Sequence, residues 1–219
     1  GELLKSEVRE IASKLNLVTA DKKDSQGLCF VGKISLPTFL QQQLAPITGN
    51  VVEIPDSLQM FTDYNAIAPT LEHVIELAQP YKFNESQGEI VTTHQGAHYY
   101  TIGQRKGLHI GGRPNPSFVI GIDTVSNTVY SGQEESHPGL NKYALFIDNQ
   151  SINWINLKYQ LTLNTTLDCK VKIRYRQASQ EATLIQKEDG LYILFKTKQK
   201  GTPKQYKKSL AFYFKVFFK

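Results

Sequence analysis

A chain of 219 residues, 40% hydrophobic and 11% aromatic, has the composition of a folded globular protein, which excludes wholesale disorder. It contains no run of eighteen apolar residues, and its opening, GELLKSEVRE, has neither the basic start nor the apolar core of an export signal. A membrane span is therefore not expected, and a cytoplasmic location is. The net charge of +5 is local: residues 196–219 hold eight lysines and no acid, leaving 17 basic against 20 acidic groups elsewhere. Such an end suits a polyanionic partner, although many lysine-rich ends are only solvated tails.

In chain order, Leu4, Val8, Ile11, Ala12 and Leu15 put one apolar stripe on a helix ending near Asn16. A loop from Ala20 to Gly32, rich in Lys, Asp, Ser and Gly, carries Cys29, and Leu36–Leu44 reads as a second helix stopped by Pro46. Residues 51–86 have a mixed pattern, with a helix expected over Thr70–Gln79, and are read as an insertion. Beyond Glu89 the texture turns to short runs rich in Val, Ile, Tyr and Phe. Phe118–Ile122 and Thr128–Ser131 flank a Ser-Asn turn, and Ala182–Gln186 and Leu191–Phe195 flank Glu-Asp-Gly, where Asp-Gly tolerates positive φ. In Cys169–Arg176, period two separates Cys169, Val171, Ile173 and Tyr175 from Lys170, Lys172, Arg174 and Arg176. Four cations on one strand face, with no acid between them, suit phosphates; long aliphatic stems covering a sheet are the plainer reading.

The expected fold is α+β: a helical segment with the cysteine loop over 1–48, a small central domain over 49–139 containing the insertion, and a C-terminal antiparallel β-barrel over 140–219. Two cysteines 140 positions apart make no disulfide framework. Cys29 lies near Lys22 and Lys23, and nearby positive charge favours the reactive thiolate. Its apolar neighbours Leu28 and Phe30 equally fit a buried, inert thiol, as does the strand position of Cys169. His94 and His98 are too few ligands for a metal, so none is expected. The stretch Gly103-Gln-Arg-Lys-Gly107 offers backbone donors with Arg105 and Lys106 as phosphate contacts, but it lacks the spacing of a nucleotide-binding P-loop.

Three stretches, ADKKDSQGLCFVG (20–32), YYTIGQRKGLHIGG (99–112) and KIRYRQ (172–177), together resemble the tRNA-specific 2-thiouridylases. The resemblance covers most of the chain up to Phe195. It implies an enzyme that adenylates the wobble uridine at its C2 oxygen, using ATP and Mg, and then displaces AMP with sulfur from a cysteine persulfide. On the matching positions Cys29 would carry the persulfide, received from a cysteine desulfurase or a sulfur-relay protein. A second cysteine on another domain would resolve the cycle as a transient disulfide. The resemblance also implies Arg174, Tyr175 and Gln205 as tRNA contacts, with Lys170, Lys172 and Arg176 beside them on phosphate. No SGGxDS-type loop occurs, so this chain alone is expected to bind neither ATP nor Mg and to need a separate ATP-binding domain as partner. The alternatives are a non-catalytic tRNA- or RNA-binding barrel remnant and a protein-interaction barrel with solvated lysines.

Overall fold

A computed structural model describes residues 3–21, 45–173 and 177–200, and the backbone of 215–217. The chain divides into two units, Gly1–Ala45 and Pro46–Lys219. In the first, α1 spans Lys5–Lys14; the Glu7 carboxylate accepts the Leu4 backbone N–H at its start. Its end is a Schellman turn: Asn16 takes φ 51°, Leu17 N–H donates to Ala12 O, and Asn16 N–H donates to Ser13 O. The predicted stripe is present, yet no α1 residue is buried and Leu4, Val8, Ile11 and Leu15 are all exposed. The expected helix at Leu36–Leu44 lies outside the described residues.

The second unit opens with a four-stranded sheet made of β1 (Gly49–Glu53), β2 (Glu89–His94), β3 (Ser117–Asp123) and β4 (Thr128–Gln133), ordered β2-β1-β4-β3. β1 pairs antiparallel with β2 and parallel with β4. The stretch read as an insertion therefore supplies a central strand with Val51 and Val52 wholly buried. It also supplies α2 (Gln59–Ala66) and α3 (Val74–Ala78), the latter shorter than the expected Thr70–Gln79. Alternation along β1 gives the sheet two apolar faces. Val52 joins Phe61, Phe118, Ile120 and Tyr130 on one face. Val51 joins Val119 and Val129 on the other, covered by Ala97 and Leu108 from the 95–116 connection.

The C-terminal strands β5 (Asn141–Asp148), β6 (Thr166–Lys172), β7 (Gln180–Gln186), β8 (Gly190–Lys200) and β9 (Lys215–Phe217) form an antiparallel sheet, ordered β5-β8-β7-β6-β9. One face holds Leu145, Ile147, Val171, Ile173, Leu184, Ile193 and Phe195, against which Trp154 and Cys169 pack. On the other face Ala144, Ile185 and Tyr192 meet Tyr64, Val74 and Leu77 from α2 and α3. The α+β class is thus realised as two sheets sharing one helical wedge. The β7–β8 hairpin forms as predicted, but neither Asp189 nor Gly190 takes positive φ. Glycine is required at 190 because a Cβ there would lie 2.2 Å from Ile147 O.

Lys142 marks the joint between the sheets. It is 6% exposed, its Nζ donates to Gln79 O, and it lies 4.2 Å from the Tyr81 ring centroid and 5.1 Å from that of Tyr64. Burial pulls its pKa from 10.5 down to about 8. Between those values the unfolded chain binds more protons than the folded one, so stability rises with pH across that window. The span corresponds to about 3 kcal/mol. Urea unfolding of the protein and of Lys142→Met should give a difference in stability that grows by up to that amount from pH 8 to 10.5. Taking the difference cancels the distant Cys169, pushed up to about 11, whose contribution falls as pH rises. A flat difference would mean that Lys142 is not held as a buried cation.

Candidate nucleic-acid interface

The connection after β2 is held at several points. His94 is buried at the strand end and its Nδ1 accepts the Gly96 N–H at 2.9 Å. Burial lowers the pKa of this imidazole, and the accepted bond requires Nδ1 unprotonated, so the ring is neutral. Asn127, in the β3–β4 turn with φ 52°, receives the Ala97 N–H on its Oδ1 and donates its Nδ2 to Ile47 O. A single 3-10 turn, Ala97–Tyr99, follows. The Tyr100 hydroxyl then reaches forward to Gly107 O at 3.2 Å.

Residues 101–107 are pinned by reciprocal bonds: Gly103 N–H donates to Val119 O at 2.7 Å, and Val119 N–H donates to Gln104 O at 2.9 Å. The Gln104 side chain accepts from Thr101 N–H and donates to Lys106 O. Gly103 and Gly107 take φ 84° and 85°, which a side-chain-bearing residue rarely adopts, so tight turns account for these glycines. Exposed Arg105 and Lys106 consequently stand at the tip of a braced loop whose flanks, Tyr100 and Leu108, pack under the sheet. Sequence alone identified the two cations; the braces Tyr100, Gln104 and Asn127 depend on tertiary pairing that no local pattern reveals.

On β6 the predicted alternation is present, with Val171 and Ile173 buried and Lys170 and Lys172 part-exposed. Acids stand nearby: Glu181 on β7 is opposite Lys170 in register and binds Lys196 of β8 at 2.6 Å, and Asp168 lies on β6 itself. Thr183 likewise donates to Asp168 at 2.6 Å. Among the described residues this face therefore carries Lys170 and Lys172 with acids beside them. Arg174, Tyr175, Arg176, Gln205 and Cys29 lie outside the described residues.

Cys169 packs against the C-terminal core, and burial pushes its thiol up to about 11, which leaves little thiolate at neutral pH. His94 is buried at the end of β2 and His98 is exposed on the 3-10 turn, near enough for the two imidazoles to interact electrostatically. Among the described residues no group of three or more His, Cys, Asp or Glu could hold a metal ion, and no helix is long and apolar enough to cross a membrane.

Three family patterns match along the chain: "tRNA methyl transferase HUP domain" over residues 1–33, "tRNA methyl transferase PRC-barrel domain" over 70–133, and "Aminomethyltransferase beta-barrel domain" over 146–213. Among similar proteins, the tRNA-specific 2-thiouridylase MnmA of Christiangramia forsetii is 47% identical over 199 residues, 89% of this chain and 50% of that protein. The protein of the same name from Flavobacterium johnsoniae is 44% identical over 89% of this chain and 50% of its own length. That of Chlamydia felis is 35% identical over 97% and 48%. The chain spans about half the length of the curated relatives it matches.

Proposed function

This chain belongs to the tRNA-specific 2-thiouridylase family, and on that premise we propose that it is the sulfur-transfer and tRNA-docking portion of such an enzyme. The observation that carries this reading is the braced 99–112 loop, which presents Arg105 and Lys106 from a fixed backbone. Phosphate contacts from such a loop position an RNA without reading its sequence. Lys170 and Lys172, with Arg174, Tyr175, Arg176 and Gln205, are proposed as further tRNA contacts.

Chemically, Cys29 would hold the transferable sulfur as a persulfide. Its terminal sulfur attacks C2 of the adenylated uridine, the C2–O bond breaks, and AMP leaves. A second cysteine then attacks the Cys29 sulfur, breaking the S–S bond, so that the thiocarbonyl forms and the two cysteines become a disulfide, which a dithiol must reduce. ATP, Mg and the second cysteine belong to further HUP-domain residues. The exposed apolar stripe of α1, within the 33 residues that match the HUP pattern, suits docking on such residues. Two of the pattern names speak of methyl transfer, but the cysteine loop favours thiolation, since methyl transfer needs no persulfide carrier.

The test has two readouts. Incubated with a cysteine desulfurase and cysteine, the chain should gain one sulfur atom at Cys29 by peptide mass spectrometry. Its affinity for tRNA should fall steeply as salt rises, because counterion release accompanies phosphate contacts. Salt-sensitive binding without sulfur uptake would instead identify a non-catalytic tRNA-binding module. Neither result would leave the protein-interaction barrel.

A further inference from the structure

From the ring pair beside the braced loop, we infer that His98 and Tyr99 form a stacking platform for an unpaired nucleobase of the bound RNA; the inference rests on the tRNA-docking reading. Their centroids are 4.0 Å apart with planes inclined by 58°, His98 exposed and Tyr99 half-buried. This arrangement is built into the backbone. Gly96 takes φ 146°, and a Cβ there would lie 2.7 Å from His98 Cε1 and 2.9 Å from Tyr99 Cε2, so both rings fold back onto a residue that has no side chain. The turn beneath is closed by Tyr99 N–H to Gly96 O and fixed by Ala97 N–H to Asn127 Oδ1. The next residue, Tyr100, sets its ring 5.4 Å from that of His94 and ties down Gly107, next to Lys106.

Aromatic rings with solvent access, held rigidly on the same connection as cations, suit a single-stranded nucleic acid, whose bases stack on the rings while its backbone meets the cations. Pre-organisation matters because ordering two side chains on binding would cost part of the stacking free energy. The ligand class is therefore an unstacked base of an RNA strand whose backbone continues along the loop toward Arg105 and Lys106. Sequence preference is not expected from stacking alone, since every base presents a π face.

The experiment uses the full chain with two probes: a tRNA transcript, and a short single-stranded RNA carrying one 2-aminopurine, whose fluorescence falls when it stacks. The wild type should quench the probe. His98→Ala and Tyr99→Leu should lose the quenching and bind about 10- to 100-fold more weakly, with an unchanged salt dependence. Tyr99→Phe should keep the quenching, and Gly96→Ala, which retains both rings but displaces them, should lose it. Arg105→Gln should flatten the salt dependence while leaving the quenching at saturation intact. Wild-type tRNA binding with neither affinity nor fluorescence altered in His98→Ala, an exposed position where folding is not at risk, would overturn the platform and leave the tRNA reading standing. Binding of neither probe by the wild type would overturn both.

Discussion

In a complete protein that carries this chain together with an ATP-binding domain, Cys29→Ser is expected to lower 2-thiouridine formation by at least about 1000-fold, or roughly 4 kcal/mol in the activation barrier. Oxygen cannot stand in for the carrier atom. A serine hydroxyl neither accepts sulfane sulfur nor ionises at neutral pH, so the step that delivers sulfur is lost and not merely slowed. Cys169→Ser is the matched control. That thiol packs on the C-terminal core and is pushed up to about 11, so at pH 7 only about one part in ten thousand is thiolate. The serine variant at 169 should therefore keep thiolation within a few-fold. Mass spectrometry of nucleosides from digested tRNA reads both outcomes. Thiolation surviving in Cys29→Ser would remove the persulfide from the mechanism, whereas loss in Cys169→Ser with an unchanged unfolding midpoint would move the carrier to β6.

Local patterns made several elements legible. The apolar stripe of α1, the β3–β4 and β7–β8 hairpins, and the two-residue alternation of β6 are each encoded in a short local stretch. Long-range pairing explains what was not legible. β1 sits in a stretch whose periodicity is too short to announce a strand, and it gains its place by pairing in parallel with β4, nearly eighty positions later. Glu181 stands opposite Lys170 and binds Lys196 only because the sheet register sets it there. Gly190 follows the same logic, being required for the approach of Ile147 O, while the Asp-Gly pair suggested a turn of positive φ. For the candidate site, composition pointed to Arg105 and Lys106. Their bracing by Tyr100, Gln104 and Val119 emerges only once the loop lies against β3.

Phe61→Ala should cost about 3–5 kcal/mol of unfolding free energy in urea, among the largest single losses available to this fold. Phe61 is 1% exposed on α2 and is ringed by aromatic groups: Tyr81 at 5.0 Å edge-on, His137 at 5.4 Å edge-on and Phe83 at 6.1 Å. These partners are themselves fixed, which limits collapse into the space left behind. His137 Nε2 meets Ile54 O and its Nδ1 accepts the Gly139 N–H, so the ring cannot swing to fill a cavity. One helical turn on, Tyr64 enters the other apolar cluster, donating to Leu77 O and accepting the Tyr143 N–H. Loosening α2 thus weakens the grip on both sheets at once, and a total stability of about 5–15 kcal/mol leaves little margin. The connection that carries Arg105 and Lys106 touches both faces of the central sheet: Ala97, Tyr100 and Leu108 pack opposite Phe61, while Ile102 packs on the Phe61 cluster itself. A loss under about 1.5 kcal/mol would show that α2 can repack and does not wedge the two sheets together.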